Sequence, residues 1–120
     1  MSRRRVVVTG LGVISPVGNT VTEAWSNLIA GKSGIGPITR FDASNFAARI
    51  AGEVKDFDVS AYLSPKEARR MDVFIHYGMA AGIQAIRDSG IEVTEANADR
   101  IGINIGSGIG GLPMIEDTHN

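Results

Sequence analysis

The chain has 120 residues, with 12 Lys+Arg against 13 Asp+Glu, two histidines, 15 glycines and no cysteine. A net charge of −1 supplies no basic field for nucleic acid, and 43% apolar with 21% charged residues describes a globular protein rather than a disordered one. The missing cysteines exclude disulfides, thiolate metal sites and a cysteine nucleophile within these residues, and His76 and His119 cannot build a metal site alone, so no metal is expected. Glycine, at nearly twice its usual ~7%, is the positive signal.

The start, Arg3-Arg4-Arg5-Val6-Val7-Val8, reads as a basic edge leading into a buried strand over residues 5–9. Thr9, Gly10 and Gly12 interrupt the apolar run, so no signal-peptide core forms. No stretch approaches the ~20 apolar residues of a membrane helix, so neither a membrane segment nor a secretory route is expected, and the cytoplasm is the default. Thr20 and Glu23 then form a capping-box pattern opening a helix, with Trp25, Leu28 and Ile29 as its expected buried stripe and Gly31 as its stop.

Residues 48–54 suggest a short strand and Asp56-Phe57-Asp58 a loop. Ser64-Pro65-Lys66-Glu67 combines an N-cap, a first-turn proline and a capping-box glutamate. Apolar residues recur at helical spacing from Met71 to Ile86, which predicts one long helix up to Gly90. Gly78, Ala81, Gly82 and Ala85 give that helix a face on which another backbone can lie closely. Residues 94–98 read as a helical turn, 101–105 as a second strand, 106–111 as a glycine-rich loop, and Leu112 onward as the entry to a helix. The two strands are expected to be central and parallel, which makes the fold class α/β and the chain the front part of a larger fold.

Gly106, Gly108 and Gly111 satisfy G-x-G-x-x-G after a strand, the pattern of a dinucleotide loop in a nicotinamide-dependent oxidoreductase. Its confirming acidic residue would fall beyond Asn120, and glycines serving tight turns and close packing explain the loop equally well. Gly31-Lys32-Ser33 ends like a P-loop, but Ser26 stands where the leading glycine is required. Lys66, Arg69 and Arg70 share a helix face by spacing, the ordinary signature of a solvated surface. Their place in the first turns, where the helix dipole disfavours cations, points instead to docking of an acidic partner. His76, between Ile75 and Tyr77 in mid-helix, reads as structural, and His119 carries no signal.

Taken together, these segments resemble a family. Residues 4–12 with Ser15-Pro16-Val17-Gly18, Trp25 with Leu28, residues 31–35, Lys66 with residues 69–74, Asp88-Ser89-Gly90 and the loop 105–111 resemble the β-ketoacyl-acyl carrier protein synthases, most closely the synthase II type. The resemblance covers essentially the whole chain. It implies a thiolase-like fold, an α-β-α-β-α sandwich of two similar halves, with residues 1–120 an incomplete N-terminal ketosynthase domain. It implies decarboxylative condensation of an acyl-enzyme with malonyl-acyl carrier protein in fatty-acid biosynthesis, without a cofactor, in a homodimer. A non-catalytic ketosynthase-like chain-length factor is the related alternative. The family's catalytic cysteine, two histidines and lysine would all lie beyond Asn120, so these residues alone should be inactive. Lys66, Arg69 and Arg70 match the basic helix that meets the acyl carrier protein and its phosphopantetheine-linked groups. Ile109, flanked by Gly108, matches the gate residue of the acyl pocket.

Overall fold

A computed structural model describes residues 3–119. Helix α1 spans Val21–Ile29 and starts where Thr20 accepts the Glu23 amide on its hydroxyl at 3.2 Å. The Glu23 carboxylate closes the return bond on the Asn19 amide, one residue before the cap. The helix stops in a Schellman motif: Lys32 donates to the Asn27 carbonyl, Gly31 donates to Leu28, and Gly31 takes φ +65. A hairpin-like pair follows, β1 over Ile35–Pro37 and β2 over Ile50–Gly52, antiparallel with Gly36 opposite Ala51. A 3₁₀ turn at Val59–Ala61 leads into α2, Pro65–Ala68. Helix α3 runs from Val73 to Ser89 and ends on Gly90 in the left-handed region, and α4 covers Leu112–His119.

The expected single helix up to Gly90 is two helices. Asp72 adopts an extended backbone and accepts the Val73 amide, which makes it a second N-cap eight residues after Ser64. Between them the turn tightens, with Arg70 donating to Glu67 and Met71 to Ala68.

The small-residue face of α3 receives the backbone of Gly10 and Gly12 on one side and the Ile105 side chain on the other. Any Cβ at Gly12 would overlap the Ala81 carbonyl, and one at Gly10 would overlap that of Ala85. Ile105 lies on the same helix, its methyl carbon 3.4 Å from where a Gly78 Cβ would stand. Two side chains of α3 fix the incoming segment: Asp88 accepts the Leu11 amide at 2.9 Å, and Gln84 accepts the Val13 amide at 3.3 Å. The Gln84 amide also donates to the Asn19 carbonyl and the Tyr62 hydroxyl, each at 2.8 Å.

Residues 5–9 and 101–105 form no ladder, and the only sheet among the described residues is β1–β2. The expected parallel sheet therefore does not assemble here. A buried parallel strand needs neighbours on both edges and cover on both faces, and these segments have only α3 beneath them. Val6 is 91% exposed and Ile103 68%. The expected buried stripe of α1 is likewise open, with Trp25 64% exposed and Ala24 the helix's one buried residue. The core is correspondingly small, comprising Ala24, Ala43, Leu63 and Ala80, and Asp72 is a buried charged residue.

Dimensions agree with this. The radius of gyration is 17.8 Å, against about 14 Å for a compact chain of this length. Accessible surface totals 9867 Å², where a compact protein of this mass would show roughly 6,200 Å².

Candidate functional site

Two regions carry the residues singled out from the sequence, and both are attached to the beginning of α3. The first is the turn 64–72. Its α2 helix is a full capping box: the Glu67 amide donates to the Ser64 hydroxyl, and the Ser64 hydroxyl and amide both donate to the Glu67 carboxylate, at 2.6 and 3.0 Å. The Ser64 hydroxyl first, and the Ser64 amide second, hold the Glu67 carboxyl below its ordinary value. Proline at the first helical position fixes the entry.

Lys66, Arg69 and Arg70 all project from this turn and are exposed. They do not lie along one face of a long helix. Lys66 occupies the single turn of α2, Arg69 is its C-cap with Nε donating to the Pro65 carbonyl at 3.1 Å, and Arg70 sits in the tightened turn beyond. The expected clash of these cations with a helix dipole is absent, because α2 is one turn long and Lys66 stands in its last turn. What remains is three cations within five residues on a protruding, rigidly capped turn. His76 closes the far side, its Nε2–H donating to the Ala68 carbonyl at 2.9 Å. That bond makes His76 a structural residue.

The second region is the loop 106–111. Ile109 stands at its tip, 76% exposed. Gly106 and Gly108 face open space, whereas Gly110 takes φ +82 with the Phe74 ring 3.6 Å from its Cβ position. The Ser107 hydroxyl accepts the Gly110 amide at 3.2 Å, which folds the tip back. Beside the loop, Phe74, Ile75, Met79 and Ile105 line an apolar groove of about 390 Å³ that Ile109 does not enter. The described residues thus contain one wall beside the expected gate and no enclosed acyl pocket.

Sequence reasoning missed Asp72. It is 9% exposed, and its second oxygen accepts the Met114 amide in the first turn of α4 at 3.3 Å. The carboxylate sits where a Gly111 Cβ would be. This placement also disposes of the dinucleotide loop. A pyrophosphate would need the N-terminus of α4, and a carboxylate already occupies it. Among the described residues no group of three histidines, cysteines or acids could hold a metal ion, and no cysteine is present. His119 ends α4 and lines an apolar recess with Ile75, Met114 and Ile115.

Residues 3–120 match the family model described as "Beta-ketoacyl synthase, N-terminal domain". The chain belongs to the β-ketoacyl synthase family. Among similar relatives of this family, 3-oxoacyl-[acyl-carrier-protein] synthase 2 of Vibrio harveyi is 62% identical over 120 residues, covering all of this chain and 29% of that protein. The synthase of the same name from Coxiella burnetii is 55% identical, again over the whole chain and 29% of the relative. A solved structure described as the ishigamide ketosynthase/chain length factor superposes with a TM-score of 0.69 at 42% identity, covering 76% of this chain and 23% of the other. The ketosynthase-like character of the fold therefore rests on sequence and shape together. The chain spans less than a third of the curated relatives it matches. No helix among the described residues is long and apolar enough to cross a membrane.

Proposed function

We propose that these residues are the N-terminal part of a β-ketoacyl-acyl carrier protein synthase II, a cytoplasmic homodimer that elongates fatty acyl chains. In that reading a cysteine beyond Asn120 takes the acyl group from its carrier thioester, releasing the carrier thiol. Loss of carbon dioxide from malonyl-carrier protein then leaves an enolate, which attacks the acyl carbon and expels the cysteine. Two histidines and a lysine, also beyond Asn120, serve the decarboxylation. The finer architecture belongs to the same proposal: residues 5–9 and 101–105 become parallel strands of an α-β-α-β-α sandwich, with α3 buried beneath them.

The described residues contribute recognition. Lys66, Arg69 and Arg70 meet the acidic carrier protein, and their exposure on a capped turn suits long-range attraction followed by fast exchange. Ile109, with Gly108 beside it, gates the acyl chain carried on phosphopantetheine, and no cofactor takes part. The observation that carries the reading is 62% identity to a synthase 2 along the entire chain.

A chimaera tests it. Residues 1–120 replace the matching segment of the Vibrio harveyi synthase, and condensation of acyl with malonyl carrier protein is followed. Turnover near that of the parent supports the proposal, and a folded but inactive chimaera refutes it. The 42% identity to a ketosynthase/chain length factor favours one second reading, a non-catalytic partner of a synthase. A nucleophilic cysteine in the same polypeptide separates the two.

A further inference from the structure

The basic turn and the gate loop lie about forty residues apart in sequence, yet one buried carboxylate joins them. Asp72 stands two residues after Arg70 and caps α3 through the Val73 amide at 2.6 Å. Its other oxygen accepts the Met114 amide at 3.3 Å, so it caps α4 as well. Gly111 packs directly on the carboxylate, and the neighbouring Gly110 lies on the Phe74 ring in the first turn of α3. At the loop's other end, Ile105 rests on Gly78 and Gly82 of the same helix. Both ends of the loop that carries Ile109 are therefore strapped to α3, and downstream the Phe74 contact is joined by a hydrogen bond from the α4 backbone to the Asp72 carboxylate.

We propose that Asp72 is a positioning residue for acyl-chain selection. It touches neither the acyl chain nor the carrier; it fixes the height of the loop on α3, and with it the point from which Ile109 meets the chain. The inference rests on Ile109 being the gate. Serine caps a helix about as well as aspartate but is one atom pair shorter and has one oxygen, so D72S keeps α3 capped and releases α4. Asparagine keeps the length but has one acceptor oxygen, so in D72N the side-chain NH2 must face either the Val73 or the Met114 amide and the two-ended bridge is broken.

The test uses the full-length chimaera. The ratio of kcat/KM for long over short acyl-carrier substrates is measured for the parent, D72S, D72N and I109F, with melting temperatures alongside. Losing one charge-assisted hydrogen bond should change that ratio about tenfold in D72S, with a change of the same sign in D72N, which loses one of the two bonds as well. KM for the carrier loaded with the shortest chain stays at the parent value. If D72S lowers the melting temperature but leaves the ratio unchanged while I109F shifts it, Asp72 is only a helix cap and the inference is overturned. If I109F also leaves the ratio unchanged, the gate assignment itself fails and the inference falls with it.

Discussion

His76 and Ala68 face each other across the break between α2 and α3, joined by a 2.9 Å hydrogen bond from the imidazole Nε2–H to the last carbonyl of α2. The carbonyl takes two donors, the Met71 amide at 3.3 Å and the imidazole, so the ring adds a second bond to this helix end. Replacing His76 by alanine should remove one of the carbonyl's two bonds and cost about 0.5–1.5 kcal/mol, since the Met71 amide still satisfies it. Urea denaturation of the full-length chimaera should show a lower midpoint at unchanged slope, with turnover per folded molecule preserved. Lost turnover at an unchanged midpoint would instead move His76 into the chemistry.

If Lys66, Arg69 and Arg70 dock the acidic carrier as proposed, reversing their charges exchanges three exposed attractions for three repulsions. Each surface contact is worth less than about 1 kcal/mol, so the triple reversal should raise KM for acyl-carrier protein tenfold or more. The effect should shrink as salt is added, because exposed charges are screened over ~10 Å at 0.1 M. Small acyl-thioester mimics, which carry no acidic partner surface, should react at nearly parental rates. Equal losses with carrier and mimic would remove the docking role.

Ile109 is the next position to move. Phenylalanine at this tip adds a rigid ring where the neighbouring Gly108 leaves free space. Product analysis of the I109F chimaera should show shorter acyl chains than the parent, and glycine at the same position should lengthen them or leave them unselected. An unaltered chain-length profile in both would refute the gate.

Glu67 provides a pH signature. Its folded carboxyl is held below the ordinary glutamate value by the Ser64 hydroxyl and amide. A depressed folded value means that the ionised form is the stabilising one. The contribution is complete above the ordinary glutamate range and disappears as pH falls through that range to the lower folded value. Carboxyl-carbon NMR should place the Glu67 midpoint below that of an exposed glutamate, and S64A should return it upward. A midpoint identical in the two proteins would mean that the capping box does not persist in solution.

The local elements were legible because their signals are short-range. Thr20, Ser64 and Gly31 mark helix ends through bonds to residues two to four positions away, and each does so here. The small face of α3 was legible for a similar reason, since two glycines four apart in a helix cost propensity that close packing must offset, here by the Ile105 side chain. The break at residues 69–72 was overlooked because apolar periodicity continues across it. Its signal was Asp72 standing immediately before Val73-Phe74-Ile75, an N-cap signature inside an apparent helix. The three-residue β1 gives no periodicity to read. Residues 5–9 and 101–105 have strand sequences, but pairing is a property of neighbours, and none stands beside them here. In the site, the cation trio and the glycine loop were visible as composition. Their connection through Asp72 was not, because Met114 lies 42 residues further along the chain.

The surplus surface sets the terms on which all these substitutions can be read. About 3,600 Å² beyond the compact expectation is the size of an obligate interface. Much of it is aliphatic, from Val6 to Val8 and from Ile101 to Ile105. Exposed apolar area of that extent leads us to expect no independent two-state folding equilibrium for these residues, and a stability inherited from whatever covers them. Expressed alone, the segment should partition into oligomers and bind hydrophobic dyes. Its lifetime would then be governed by association rates rather than by a folding free energy.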